Sequence, residues 1–226
     1  MKLSPETLAI LKNFASINES ILFRQGNRIR TMKYPAKTIL GEAIVPEIFP
    51  KDFAIYNLNQ FLNAYSLLDN PDLDFSDEDD RFVLLKEGKR KIKFFFCNPE
   101  MINSPPDKTL TLPSEDVVFN LPAEHLEKIL KARAICEAPD LSVVGDGNQI
   151  TLVVHNKENP SSNEYTLVVG ETNNVFTFNL RIENILILKG SYDVTISKSK
   201  ISKFQNTATD LVYYLPLEPD SDFQES

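Results

Sequence analysis

Two histidines, His125 and His155, and two cysteines, Cys97 and Cys136, are the only residues of their types in the chain. They are the groups that most often ligate zinc or serve as bases and nucleophiles. Zinc sites need thiolates and imidazoles at short, repeated spacings, and none of the four stands at such a spacing from another. The histidines read as ordinary surface or strand residues. The cysteines form no CxxC pair and read as reduced and buried. The acidic run 69–80 suggests calcium, but an EF-hand loop begun at Asp72 needs Gly at its sixth position and Glu at its twelfth. Asp77 and Val83 stand there instead, so the run reads as a solvated loop. Gly145-Asp146-Gly147 lacks the rest of a dinucleotide fingerprint and reads as a turn. No P-loop, nucleophile elbow or acid–base cluster is present. The expectation is a protein with no catalytic residue, no metal and no cofactor, and a binding or scaffolding role.

What remains is the chemistry of helix faces. Ser4 and Pro5 suit the N-cap and first position of a helix. Leu8, Ile10, Leu11, Phe14 and Ala15 then cover one side of it, and Ala9, Lys12, Asn13 and Ser16 the other. A second helix over 58–68 sets Leu58, Phe61, Leu62, Tyr65 and Leu68 against the uncharged Asn59, Gln60, Asn63 and Ser66. A third over 123–133 buries Leu126, Ile129 and Leu130 and turns Lys128 and Lys131 away. The net charge of −8 argues against nucleic acid. The acidic runs, however, fall in loops and at the C-terminus, which leaves the helix faces neutral to basic. Such faces suit DNA phosphates without reading bases. Ordinary solvent-exposed helices give the same spacing, and Glu124 and Glu127 flank the lysines.

The helices belong to a repeat. Phe-Asn-Leu at 119–121, Tyr-Asn-Leu at 56–58 and Phe-Asn-Leu at 178–180 each end a strand and open a helical stretch, recurring about every 60 residues. Residues 211–216 repeat the strand half, and the first helix supplies the missing partner. Four units of a helix with strands imply two similar domains, 1–98 and 116–226. The proline-rich stretch 99–115 is the connector. Hairpins are expected over 20–33 (turning at Gln25-Gly26-Asn27), 81–97, 141–154 and 191–206, and further strands over 38–45 and 164–170. The fourth helix, over 181–189, is short and Ile-rich, and 218–226 reads as an acidic tail. With 42% hydrophobic residues the chain can build a real core. It has no run of 18 apolar residues and no apolar h-region near its start, so neither a membrane span nor a secretory signal is expected.

The stretches MKLSPETLAILKNFASIN, DFAIYNLNQFLNAYSLL, LPAEHLEKILKARA and VYYLPLEPDSDF resemble the sliding-clamp family (DNA polymerase processivity factors) of phage T4 and its relatives. The resemblance covers nearly the whole chain in order and is weak over 69–111. It implies an α+β fold of two similar DNA-clamp domains, each of two β-α-β units. Three subunits close head to tail into a ring with helices inside and sheets outside. Duplex DNA threads the hole in the cytoplasm of an infected bacterium. An ATP-dependent clamp loader opens the ring, which tethers the polymerase by its C-terminal peptide. A sigma-like factor and coactivator of late transcription are further implied partners. On that picture Lys2, Lys12, Asn13, Asn63, Lys128, Lys131, Arg133 and Lys189 face DNA. Met101, Ile102, Leu110, Leu112, Leu215 and Leu217 form an apolar partner pocket. Ile92, Phe94 and Phe96, on a basic edge strand, form the subunit interface. The competing reading is a phage assembly or scaffold protein that builds a ring or shell without DNA.

Overall fold

The chain divides into two compact units, Met1–Asp107 and Lys108–Ser226. The computed structural model describes residues 1–76 and 80–224; Asp77, Glu78 and Asp79 of the acidic run, and Glu225 and Ser226, lie outside it.

The first unit runs α1 (Pro5–Ile17), β1 (Ile21–Phe23), β2 (Gly26–Met32), β3 (Leu40–Phe49), β4 (Phe53–Ile55), α2 (Leu58–Ser66), β5 (Asp72–Asp74), β6 (Phe82–Glu87) and β7 (Arg90–Phe95), then a 3-10 turn at Pro99–Met101. Ser4 caps α1, its hydroxyl accepting the Thr7 backbone N–H at 3.1 Å. Asn57 does the same for α2, accepting from the Gln60 N–H at 2.8 Å. Both residues satisfy donors that the first helical turn leaves without partners. Leu11, Phe14, Leu58 and Phe61 are essentially fully buried, each contributing roughly 1.5–3 kcal/mol by leaving water. Leu8, expected on the apolar side of α1, is only half-buried.

The hairpin expected over 20–33 does not form. β1 runs antiparallel to β4, with Leu22 opposite Ala54, and β2 pairs instead with β3. The cause is burial. Ile21, Leu22 and Phe23 are all buried, so this strand has no wet face, whereas buried and half-buried residues of β2 alternate towards its end. Phe23 stacks on Phe53 at 4.5 Å and tilts against Phe49 at 4.7 Å, and Phe96 tilts against Phe53 at 4.9 Å. β5 lies within the acidic run expected to be a loop. Leu73 draws it in, buried between the exposed Asp72 and the half-buried Asp74, and the sheet order is β5–β6–β7.

The second unit runs β8 (Val117–Leu121), α3 (Ala123–Cys136), β9 (Asp140–Asp146), β10 (Gln149–His155), β11 (Tyr165–Glu171), β12 (Val175–Arg181), a 3-10 turn at Ile182–Asn184, β13 (Tyr192–Ser197), β14 (Ile201–Asn206), β15 (Leu211–Pro216) and β16 (Asp222–Gln224). One sheet has the order β11–β10–β9–β12–β16. Strands β8, β13, β14 and β15 pair antiparallel in that order. Gly147 turns the β9–β10 hairpin at φ +85°, and Asp146 accepts the N–H groups of Asn148 and Gln149 at 2.9 and 2.8 Å. Gly145 has a different task. A Cβ there would collide with the Phe176 ring, so only glycine lets the two strands close.

Two expectations fail in this unit. The stretch 181–189 forms one 3-10 turn and then continues without α-helix. Ile182, Ile185 and Ile187 are all buried. The two-residue step from Ile185 to Ile187 suits extended chain and would put the pair on opposite sides of a helix. Arg181 is also claimed by the strand, donating to the buried Asp140 at 2.9 Å. The C-terminal stretch, in turn, is not a free tail as far as it is described. Glu218 donates its N–H to the Asn179 carbonyl at 2.7 Å, and Ser221 Oγ accepts the Asn179 N–H at 2.9 Å. β16 pairs with β12, and Phe223 stacks near Phe176 and Phe178.

Candidate nucleic-acid interface

α1 and α2 pack side by side in the first unit, and α2 seats Phe61 edge-on against Phe94 of β7 at 5.2 Å. Their buried stripes turn Lys12, Ser16, Asn59, Gln60, Asn63 and Ser66 to solvent, while Asn13 is half-buried. Hydroxyls on both helices fold back on their own backbone. Ser16 Oγ donates to the Asn13 carbonyl at 2.6 Å and Ser66 Oγ to that of Asn63 at 2.9 Å. The exposed amides of α2 are thus left as its outward polar groups.

Lys2 and Lys12 line one groove of about 670 Å³ together with Leu8, Leu62, Leu68 and Glu47. Glu47 fixes this end of α1. It accepts the Ser4 backbone N–H, and its other oxygen takes the Thr7 hydroxyl at 2.5 Å. Burial alone would raise the Glu47 carboxyl, but the hydrogen bonds from Thr7 and Ser4 outweigh it and hold the group below its ordinary value. Tyr65 completes the anchor by accepting the Leu3 N–H at 3.3 Å. Glu47 and Thr7 escaped the sequence reading. They lie 40 residues apart, and only the buried position of Thr7 next to the cap hints at a partner.

In the second unit α3 buries Leu126, Ile129 and Ala132 and runs three residues past 133, ending at Glu137 with φ 50°. Lys128 and Lys131 are exposed on its outward side. Glu127 lies 3.9 Å from Lys131 and 4.0 Å from Lys189, so one carboxylate serves two exposed ammonium groups. Arg133 is exposed but stands about 140° around the helix from Lys128, lining a separate cleft with Glu137, Arg181 and Glu183. Lys2, Lys12, Lys128 and Arg133 make no ion pair among the described residues. Along the three helices four basic side chains (Lys12, Lys128, Lys131 and Arg133) stand against three acidic ones (Glu6, Glu124 and Glu127), in a chain whose net charge is −8.

Among the described residues no group of three or more His, Cys, Asp or Glu could hold a metal ion. His155 Nε2 lies 2.8 Å from Ser142 Oγ, but that hydroxyl donates to Asn179 Oδ1 at 2.6 Å inside the sheet, so the pair is structural. Among the described residues no helix is long and apolar enough to cross a membrane.

The model of the family described as DNA polymerase processivity factor matches residues 3–97. Over 226 aligned residues the chain is 33% identical to the sliding clamp of Vibrio phage KVP40, covering 96% of this chain and 99% of that protein. The chain belongs to the sliding-clamp family. It is also 28% identical to the sliding clamp of Enterobacteria phage T4, covering 99% of this chain and all of the relative. Among solved structures, the proliferating cellular nuclear antigen of Entamoeba histolytica aligns with a TM-score of 0.69 at 17% identity, over 93% of this chain and 94% of that one. The Helicobacter pylori beta clamp bound to a DNA ligase peptide aligns with a TM-score of 0.71 at 10% identity, over 96% of this chain and 65% of that one. Identities that low speak to the fold alone, and the fold is the α+β clamp fold.

For this sliding clamp the apolar pocket expected around the connector needs correction. Leu215 is fully buried and Leu217 nearly so, both in the core of the second unit. Ile102 is buried against Leu22 and Ala54 in the first unit. Met101 alone of the six is well exposed, and Leu110 and Leu112 are half-buried. Tyr214 also donates its hydroxyl to the Leu110 carbonyl at 3.0 Å. The expected interface side chains are turned inward as well. Phe94 packs on Phe61, and Phe96 on Phe53. The exposed residues of β7 are Arg90, Lys91, Lys93 and Phe95, with Lys93 Nζ 3.9 Å above the Phe82 ring.

Proposed function

We propose that this sliding clamp works as a homotrimeric ring that encircles duplex DNA and tethers a phage DNA polymerase, with no catalysis of its own. The observation that carries the reading is the pairing of two facts. The chain aligns end to end with phage sliding clamps, and its helices carry Lys12, Lys128, Lys131 and Arg133 beside a row of exposed amides, against Glu6, Glu124 and Glu127. Lys2, Lys12, Lys128 and Lys131, with Asn63 and the half-buried Asn13, supply diffuse attraction to phosphates. Lys189 adds to it from extended chain, and Arg133 from the flank of α3. Lone ammonium groups and amides set no register on the bases, as sliding requires. The clamp loader, the polymerase C-terminal peptide, the late-transcription sigma-like factor and its coactivator, and the host cytoplasm are parts of the same proposal. That a beta clamp of this fold is bound to a ligase peptide supports peptide docking as the mode of partner capture. Met101, Leu110 and Leu112, along the connector of residues 99–115, are the pocket residues that remain accessible.

Ring closure is proposed through two sheet edges. β7 ends the order β5–β6–β7 and β11 ends the other sheet, so each has one side without a strand partner among the described residues. β7 carries Arg90, Lys91 and Lys93, whereas β11 is bracketed by Glu164 and Glu171. Phe95 and Val168 are more than half exposed on the two strands. The β7 edge of one copy laid against the β11 edge of the next is a head-to-tail contact, which closes into a ring when the rotation permits.

The test is light scattering over a dilution series, followed by retention on circular against linear duplex. A mass near three times 25.7 kDa, about 77 kDa, with loss from linear ends supports the reading. A persistent 25.7 kDa monomer even with primed DNA and loader present overturns it.

A further inference from the structure

The extended stretch that follows the 3-10 turn at Ile182–Asn184 is pinned on both sides of one lysine. Leu188 is held at both of its backbone groups. Its N–H donates to the Tyr213 hydroxyl at 3.2 Å, and its carbonyl accepts from the Tyr192 hydroxyl at 2.5 Å. Both tyrosines are completely buried, and their rings tilt against each other at 6.2 Å. The buried Ile185 and Ile187 fix the approach to Leu188. On the far side Ser191 ties the stretch down twice. Its carbonyl accepts the Thr207 N–H at 3.0 Å, and its hydroxyl accepts the N–H of Ala123, the first residue of α3, at 3.0 Å. The residue before that helix is Pro122, which makes no side-chain cap, so Ser191 supplies one from elsewhere in the unit. Between these anchors stands Lys189, 82% exposed, its ammonium 4.0 Å from the Glu127 carboxylate of α3.

We infer that Tyr192 and Tyr213 are positioning residues for DNA, a role that rests on the encirclement of DNA proposed above. By fixing the Leu188 backbone they hold Lys189 beside Lys131, so that extended chain presents a cation alongside those of α3. Each oxygen of Glu127 faces one of the two ammonium groups. A lysine on mobile chain surrenders backbone freedom when it meets a phosphate. Here the fold has already fixed that backbone, and only side-chain freedom is left to lose. The hydroxyls, not the rings, make the attachment. Phenylalanine at both positions keeps the packed rings and releases Leu188.

The test is a cycle of variants on the full chain, with affinity for a fluorescein-labelled linear duplex read by anisotropy between about 50 and 200 mM NaCl. In the unaltered chain Lys189→Gln is expected to weaken binding about three- to five-fold and to flatten the plot of log affinity against log salt by about 0.9. Lys189→Arg should stay close to the unaltered chain. In the background Tyr192→Phe with Tyr213→Phe, the same Lys189→Gln change is expected to cost less than about 1.5-fold, because the lysine is no longer held in place. If that background fails to fold, judged by its thermal melt, Tyr213→Phe alone replaces it. Tyrosines with a merely structural role would lower the melting temperature and leave the cost of Lys189→Gln equal in both backgrounds, which overturns the proposal. No cost of Lys189→Gln in the unaltered chain overturns it too, and leaves the DNA reading standing if Lys128→Gln and Lys131→Gln still weaken binding. If none of the three lysines matters, the DNA reading itself falls and takes the proposal with it.

Discussion

Glu127 Oε2 lies 3.9 Å from Lys131 Nζ, one turn further along α3, and its other oxygen lies 4.0 Å from Lys189. The two lysine side chains are 76% and 82% exposed, so water screens both contacts and a DNA phosphate can replace the carboxylate at little cost. On the proposed function Glu127 damps the attraction of α3 for DNA. Glu127→Gln is expected to tighten binding to linear duplex. It should also steepen the plot of log affinity against log salt by roughly one to two, at about 0.9 for each further phosphate that a freed lysine neutralises. Anisotropy titrations between about 50 and 200 mM NaCl check it.

Glu47 ties the start of α1 to β3. Glu47→Ala leaves the Ser4 N–H and the buried Thr7 hydroxyl without their acceptor, a loss of about 1–3 kcal/mol. Its carboxyl is held below its ordinary value in the folded chain. Its stabilisation is thus fully present above the unfolded value of about 4.3 and is lost as pH falls through the lower folded value. The melting temperature of the unaltered chain should drop below about pH 4 more steeply than that of Glu47→Gln, which has no carboxylate to titrate. Parallel acid branches for the two proteins would remove Glu47 from this role.

The edges β7 and β11 carry opposite charge. Replacing Lys91 and Lys93 together by Glu sets like charges against Glu164 and Glu171 of the next copy, which disfavours a wrong or altered partner. Light scattering should then shift from about 77 kDa towards the 25.7 kDa chain, and more so at low salt. An unchanged mass would place the junction elsewhere.

Testing the partner pocket requires sparing the core. Leu217 is 7% exposed, so Leu217→Asp would unfold the second unit before it reported on docking. Met101→Asp with Leu112→Asp acts on accessible residues. It should weaken capture of a polymerase C-terminal peptide about ten-fold while the melting temperature stays within a few degrees.

The three helices and their outward faces were legible because they are local. Capping residues, apolar stripes and amide or lysine faces all repeat within one or two turns. The repeated asparagine does not have one structural task. Asn57 caps α2, Asn120 donates to Asp193 across strands at 3.0 Å, and Asn179 accepts from Ser142 inside a sheet. At the third repeat, buried isoleucines in extended chain displaced the helix that the pattern implied. Long-range pairings were not legible: the partner of β1, the Glu47 anchor and the docking of Phe223 all join residues far apart in sequence. Ile102, Leu215, Leu217, Phe94 and Phe96 are turned further inward than their apolar type alone shows. Apolar type alone does not say whether a strand residue faces the core or the solvent.

The most direct test of DNA encirclement is the length of product made per binding event by the phage polymerase on primed circular template, with loader and ATP. The unaltered chain should support long products, and Lys12→Glu, Lys128→Glu and Lys131→Glu combined should abolish the stimulation while leaving the native mass unchanged. Undiminished product length with the triple variant would contradict the account.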